Sequence, residues 1–258
     1  MSIGIEPGVR AVIFDWAGTI VDHGSRAPLE AFRRTFKEIG LRLTDEEIRG
    51  PMGLGKREHI AALLGLVRIA ACHREMRGTD ADDAVIDRLY VRFEELQPEL
   101  AASRAAPIAG VPDLLERLRT RGIRTGGTTG FSRHVMASVL PAASRNGVSL
   151  DASVCVDEVE RGRPAADMLL ECAARLGVDP ATCVVFDDTP VGIEAAVAAG
   201  MTGWGVSMTG NQCGFDADET AALTDADRAE IHARAVDAFA AVGAVGTLDS
   251  VADLDVQG

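Results

Sequence analysis

The stretch VRAVIFDWAGTIVD, residues 9–22, opens as a short apolar run rich in β-branched side chains and carries an acid, Asp15, near the end of that run. A run that is apolar at consecutive positions, without the alternation of a half-wetted strand, predicts a parallel strand covered on both faces, with Asp15 at its C-terminal edge. Runs of the same kind recur at residues 123–130 (IRTGGTTG), 152–156 (ASVCV), 182–188 (TCVVFDD) and 202–206 (TGWGV). Helical patterns separate them. VPDLLERLRTRG has a proline near its start and stops at Gly122, AADMLLECAARLG stops at Gly177, and VGIEAAVAAG stops at Gly200. Strands alternating with helices predict an α/β fold, a doubly wound, Rossmann-like parallel sheet whose ligands sit beyond the carboxyl ends of the strands. Asp15 is a site candidate on position alone.

Residues 24–105 interrupt the alternation. The segment is far longer than an ordinary crossover, its periodicity is helical and no strand run stands out in it. We read it as an all-helical cap domain inserted into a core made of residues 1–23 and 106–258. The tail holds a helical pattern around DADRAEIHARAVDAFAAVG and a closing LDSVADL, both expected to pack on the core.

With 258 residues and 47% hydrophobic content, the chain can bury a substantial core. A net charge of −13 and a pI near 4.8 repel nucleic acid and anionic membranes, so an anionic ligand needs a local cluster of donors and cations. No apolar run approaches the roughly 20 residues of a membrane span, and MSIGIEPGVR lacks the basic start and apolar core of a signal peptide. The expected address is the cytoplasm. The five cysteines are odd in number and show no C-x-x-C spacing, which suits a reducing compartment better than a disulfide framework or a zinc site. Of the 26 basic side chains only Lys37 and Lys56 are lysine. A lysine that survives in so arginine-rich a chain is a candidate for chemistry that a guanidinium cannot perform. Lys37, in FRRTFKEIG, reads as a solvated helix residue.

Lys56 lies in RGPMGLGKREH, residues 49–59, which satisfies the G-x-x-x-x-G-K of a phosphate-binding loop. The match fails at its functional end, because Arg57 stands where that loop needs a hydroxyl for magnesium. It also follows the wrong element: LTDEEIRG begins with a Thr-x-x-Glu capping signal and reads as a short helix, not a buried strand.

DWAGT, around Asp15, resembles the D-x-D-x-T nucleophile motif of the haloacid dehalogenase-like hydrolases, with Ala17 in place of the second acid. In the phosphatases of that superfamily the second acid protonates the leaving oxygen, which Ala17 cannot do. FDWAGTIVD, APLEAF and PMGLGK together resemble the phosphonatases, the phosphonoacetaldehyde hydrolases of that superfamily, over nearly the whole chain. The resemblance implies cleavage of a carbon–phosphorus bond with Mg2+, an aspartyl phosphate on Asp15 and a Schiff base on Lys56. The chemistry agrees with it. Breaking that bond leaves a carbanion, which needs an electron sink; a primary amine condensed with an aldehyde gives an iminium that accepts the electron pair as phosphorus departs. Lysine forms one and arginine does not.

The same resemblance implies the rest of the site. Asp15, the Ala17 backbone carbonyl and Asp188 match the Mg2+ ligands, with Asp187 supporting them from outside the coordination sphere. The acidic pair departs from the G-D-x-x-x-D expected of a phosphonatase, since Gly192 occupies the later acidic position, and instead resembles the pair of the sugar-phosphate mutases. Thr128, Thr129 and Gly130 match the phosphate-binding strand end, with either hydroxyl available as donor. Arg163 in GRP matches the phosphate-binding cation, and Arg161 is two residues away. His59 matches a phosphonatase histidine on the same side of a helix as Lys56, a candidate proton carrier in imine formation. Met52 and Phe131 are expected to wall the aldehyde pocket. A small-molecule phosphonate is the implied substrate, and a homodimer joined through the cap is the implied assembly. The competing readings are a phosphatase or phosphomutase of the superfamily acting on a small phosphate ester, and a catalytically silent relative that binds a phosphorylated ligand.

Overall fold

The structure is a computed structural model that describes residues 3–4 and 6–256. A two-residue strand, β1 (Ile3–Gly4), precedes β2 (Ala11–Asp15), the strand expected at the head of the fold. Every residue of β2 is buried, with Val12 and Phe14 packed into one hydrophobic cluster and Ala11 and Ile13 into another on the opposite face. This is the signature of a strand covered on both sides.

Five helices follow: α1 (Arg26–Glu38), α2 (Asp45–Arg49), α3 (Lys56–Gly65), α4 (Val67–Arg77) and α5 (Asp83–Ser103). They enclose a hydrophobic cluster of their own, in which Phe32, Phe36, Ile48, Ile60, Leu63 and Phe93 are fully buried. The capping signal before α2 forms as read: Thr44 Oγ1 accepts from Glu47 N–H at 3.2 Å and the Glu47 carboxylate accepts from Thr44 N–H at 2.9 Å. The chain enters and leaves this helical layer side by side, with Asp22 N–H donating to the Ala106 carbonyl at 3.3 Å. Asp22 and Ser25 hold left-handed φ values of 52° and 51° at the entry. The Asp22 carboxylate offsets that strain by accepting from the Arg26 and Ala27 N–H groups at 3.1 and 2.9 Å, the first free donors of α1.

The alternating core then resumes with α6 (Val111–Thr120), β3 (Arg124–Thr129), α7 (Arg133–Arg145), β4 (Ala152–Cys155), α8 (Asp167–Leu176), β5 (Cys183–Asp187), α9 (Pro190–Ala198) and β6 (Thr202–Val206). α10 (Ala217–Ala221), α11 (Asp225–Ala240), β7 (Gly246–Leu248) and β8 (Leu254–Asp255) complete it. The main sheet has six parallel strands in the order β4-β3-β2-β5-β6-β7, while β1 and β8 pair separately. From β2 the chain steps outward through β3 and β4, then returns on the other side of β2 through β5. The switch point thus lies between β2 and β5, whose carboxyl ends carry Asp15 and Asp187. α5 packs along both α1 and α7, tying the helical layer to the core above this crevice. Among the described residues no helix is long and apolar enough to cross a membrane.

Candidate active site

Strand register brings the first two site residues together: Asp15 at the end of β2 pairs with Thr128 of β3. Arg163 reaches them from the loop after β4. Its Nη1 donates to Asp15 Oδ1 at 2.8 Å, and its Nη2 donates to the hydroxyl and carbonyl of Thr128 at 2.8 and 3.1 Å and lies 3.1 Å from Asp187 Oδ2. The Arg163 side chain is 3% exposed, whereas Arg161 is 71% exposed and spent on Asp167. Geometry therefore selects Arg163 between the two. It also separates the two threonines. Thr128 faces Arg163; Thr129 lines the cleft, where its hydroxyl accepts from Phe131 N–H at 3.1 Å and keeps its own proton free to donate.

The acidic pair at the end of β5 divides in the same way. Asp188 lines the cleft, with Oδ2 accepting from Ser25 Oγ at 2.8 Å and from Asn211 N–H at 2.6 Å. Asp187 lies behind Arg163, its Oδ1 accepting from the backbone N–H and hydroxyl of Thr189 at 2.9 and 2.7 Å. Its carboxylate occupies the space a side chain on Gly192 would need: a Cβ there would stand 1.9 Å from Asp187 Oδ2. Gly192 is thus the complement of Asp187, which accounts for the departure at the later acidic position.

Burial raises the Asp188 carboxyl well above its usual range, and the neighbouring Asp15 and Asp187 push it further the same way. Both donors to its Oδ2 are neutral. A buried anion in that setting is costly unless a cation joins it. The Ala17 carbonyl stands beside it, since one atom, Ser25 Oγ, lies within 2.9 Å of Ala17 O and 2.8 Å of Asp188 Oδ2. Asp15, Asp188 and this carbonyl are oxygen donors that fit a hard divalent cation completed by water and substrate oxygens. No group of three His, Cys, Asp or Glu side chains among the described residues makes a closed cage.

Lys56 opens α3 and enters the cleft from the cap side, 6% exposed, with Nζ at 5.9 Å from the Phe32 ring centre and 5.7 Å from that of Phe131. Burial lowers its pKa to about 8; Asp15 acts against that and Arg163 with it. The positive end of the α3 dipole also disfavours an ammonium there. Burial raises Asp15 to about 7, with Arg163 opposing. A Cβ on Gly130 would lie 3.6 Å from Nζ, an ordinary contact, so the amine stands directly beside the turn that follows β3. Met52 and Phe131 wall the same cleft. The cleft holds about 350 Å³ of empty space, its open mouth included.

His59 departs from the expectation of a proton carrier in the pocket. It is fully buried behind Phe32, with ring centres 4.0 Å apart, and its Nε2 bonds the Ile48 carbonyl at 2.8 Å. Burial and then Lys56 hold its pKa well below the usual value, so the ring is neutral. It is absent from the residues that line the cleft and braces α2 against α3. Sequence reasoning missed Ser25 and Asn211, the donors to Asp188. Neither belongs to a motif, and both reach the site through loop geometry.

A doubly wound core with an aspartate at the carboxyl end of its central strand, covered by helices inserted just after that strand, defines a haloacid dehalogenase-like hydrolase. The family model described as "Hydrolase: haloacid dehalogenase-like hydrolase" matches residues 9–200. A phosphonoacetaldehyde hydrolase of Paraburkholderia xenovorans (strain LB400) is 43% identical over 247 residues, covering 95% of this chain and 92% of that one. One from Bordetella avium (strain 197N) is 42% identical, covering 95% and 88%. The crystal structure of a phosphonoacetaldehyde hydrolase-like protein from Oleispira antarctica superposes with a TM-score of 0.95 at 38% identity, covering 99% of this chain and 93% of the other. The chain belongs to the haloacid dehalogenase-like hydrolases and, within them, to the phosphonoacetaldehyde hydrolases.

Proposed function

We propose that this enzyme hydrolyses phosphonoacetaldehyde to acetaldehyde and orthophosphate, using Lys56 as imine-forming amine and Asp15 as nucleophile. The observation that carries the reading is the meeting of Lys56, from the cap, with Asp15 and Arg163, from the core, in one cleft where residue 17 offers no acid. The free amine of Lys56 adds to the aldehyde, and the resulting carbinolamine takes up a proton from solvent and loses water to give an iminium. Asp15 attacks phosphorus as the carbon–phosphorus bond breaks, and the bonding pair moves into the iminium to leave a neutral enamine. Proton uptake at carbon and hydrolysis of the resulting imine release acetaldehyde and the amine. Water then cleaves the aspartyl phosphate.

Arg163 and the Thr129 hydroxyl hold the phosphoryl oxygens, and Arg163 aligns Asp15 and favours its ionised form against the effect of burial. Mg2+, held by Asp15, the Ala17 carbonyl and Asp188, would neutralise charge between the nucleophile and the phosphoryl group. Phe32, Phe131 and Met52 exclude water from the amine. Because Lys56 and Asp15 come from different layers and are each only 6% exposed, residues 24–105 move as a cap to let substrate in. We place the enzyme in the cytoplasm, in keeping with its unpaired cysteines, as a homodimer joined through the cap, where Val67, Met76 and Val91 are apolar and exposed. Equal release of acetaldehyde and phosphate from phosphonoacetaldehyde, with little phosphate from p-nitrophenyl phosphate, is the expected assay result. The reverse preference would make the enzyme a phosphatase.

A further inference from the structure

The chemistry above leaves unexplained a polar cluster where the cap meets the loop after β6. Arg49, at the end of α2, extends its guanidinium to three acceptors outside the cap helices. Nη1 donates to the Gly24 carbonyl at 3.0 Å and to Asn211 Oδ1 at 3.2 Å, and Nη2 donates to the Gly214 carbonyl at 2.8 Å. Asn211 returns the contact through Nδ2, which donates to the Arg49 carbonyl at 3.1 Å. The cradle is close-fitting. Gly214 has φ of 77°, and a Cβ on it would lie 2.8 Å from Arg49 Nε.

Each residue that Arg49 holds through Nη1 is tied to a donor of Asp188. Asn211 gives its own backbone N–H to Asp188 Oδ2, and Gly24 precedes Ser25, whose hydroxyl bonds the same oxygen. One cap side chain thus grips both segments that orient one carboxylate of the site. When the cap opens, Arg49 leaves with α2, and the hinge and the loop keep the 2.8 Å bond from Gly24 N–H to the Thr209 carbonyl but lose the one cap side chain that holds both.

We propose that Arg49 and Asn211 are positioning residues that make the alignment of Asp188 conditional on cap closure. The inference rests on the role given to Asp188 above. It assigns the pair no contact with substrate. Its consequence is ordering: the core carboxylate reaches its working position only once the cap has delivered Lys56, so phosphoryl transfer waits for the iminium.

The test compares native enzyme with Arg49→Lys, Asn211→Ala and the double variant. An ammonium cannot span three acceptors, and Asn211→Ala removes the reciprocal pair while keeping the backbone N–H to Asp188. Each single change is expected to lower kcat about 10- to 100-fold, the size of effect that small misplacement of a reacting group produces, with KM for phosphonoacetaldehyde nearly unchanged. The double variant should be no worse than the weaker single one, because both changes break one tether. Backbone hydrogen exchange at residues 22–28 and 207–215 should quicken in each. Borohydride should still trap substrate on Lys56 in every variant. Native kcat in both single variants, multiplying losses in the double one, or unchanged exchange would overturn the tether. If Arg49→Lys fails to fold, Asn211→Ala and Asn211→Asp carry the same comparison with Arg49 intact. Absence of the trapped adduct in the native enzyme would instead count against the imine reading, with the exchange result still judging the tether.

Discussion

Replacing Lys56 with arginine separates two roles that a buried cation in this cleft can play. At its ordinary pKa of 10.5 a lysine would be free amine in roughly one molecule per thousand at pH 7.5; at about 8, the value burial brings it to, roughly a quarter is free amine. Burial among Phe32, Phe131 and Met52 therefore raises the reactive population by about two orders of magnitude. Arginine stays charged, keeps approximate length and cannot form an imine. If Lys56 only attracts the phosphonate, Lys56→Arg should keep much of its activity. If it forms the iminium, turnover should fall on the order of 10³-fold or more, as when other covalent catalysts are removed, with substrate affinity changed far less. Coupled measurement of acetaldehyde and phosphate release gives both constants. Turnover within about tenfold of native in Lys56→Arg would refute the reasoning.

The pH profile follows from the same residue: with the amine lowered to about 8 and Asp15 raised to about 7, both active forms are the deprotonated ones. The rate at low substrate should climb with pH through neutrality and flatten above about 8; a climb continuing towards 10.5 would mean an unperturbed lysine. Metal removal by EDTA should abolish turnover and added Mg2+ restore it. Asp188→Asn should be severely impaired, while Asp187→Asn, acting through Arg163, should lose about 10- to 100-fold; full activity in EDTA or in Asp188→Asn would contradict the site assignment. Gly192→Ala places a methyl 1.9 Å from Asp187 Oδ2 and should cost about 1–3 kcal/mol in thermal unfolding, with much of that recovered in combination with Asp187→Gly. An unchanged Tm for Gly192→Ala would mean that the carboxylate has another place to go.

The parts of the fold that were legible in the sequence are those whose burial is uniform. β2 (AVIFD) and β5 (CVVFD) are buried and read as apolar runs, β3 (RTGGTT) and β6 (TGWGV) are marked by small and β-branched residues at buried positions, and the glycines after α6, α8 and α9 mark real ends, with φ of 68° at Gly122 and Gly177 and 70° at Gly200. β7 escaped because three residues beginning with glycine carry no period, and α7 because Pro141 interrupts its pattern. Of the site, Asp15 and Lys56 were legible from strand-end position and from the rarity of lysine, and Arg163 and Asp188 from resemblance; the four come from distant parts of the sequence and line one cleft. Whether Thr128 or Thr129 faces the cleft was not, since adjacent residues at a strand end point to opposite sides and only the position of Arg163 tells which is which. His59 misled for a related reason. Helical spacing puts it on the side of Lys56, but Phe32 lies between that side and the cleft. The tether from Arg49 was invisible because its partners are two backbone carbonyls and an asparagine, groups that every sequence contains.

Borohydride trapping tests the central claim most directly. Sodium borohydride added during turnover of phosphonoacetaldehyde should reduce the imine, inactivate the enzyme in step with substrate, and leave a stable adduct. With Lys37 the other lysine in the chain, peptide mapping can place it without ambiguity. The account predicts one adduct, on Lys56, absent without substrate and absent from Lys56→Arg. Full activity after borohydride treatment during turnover, or an adduct on Lys37 with Lys56 unmodified, would contradict it.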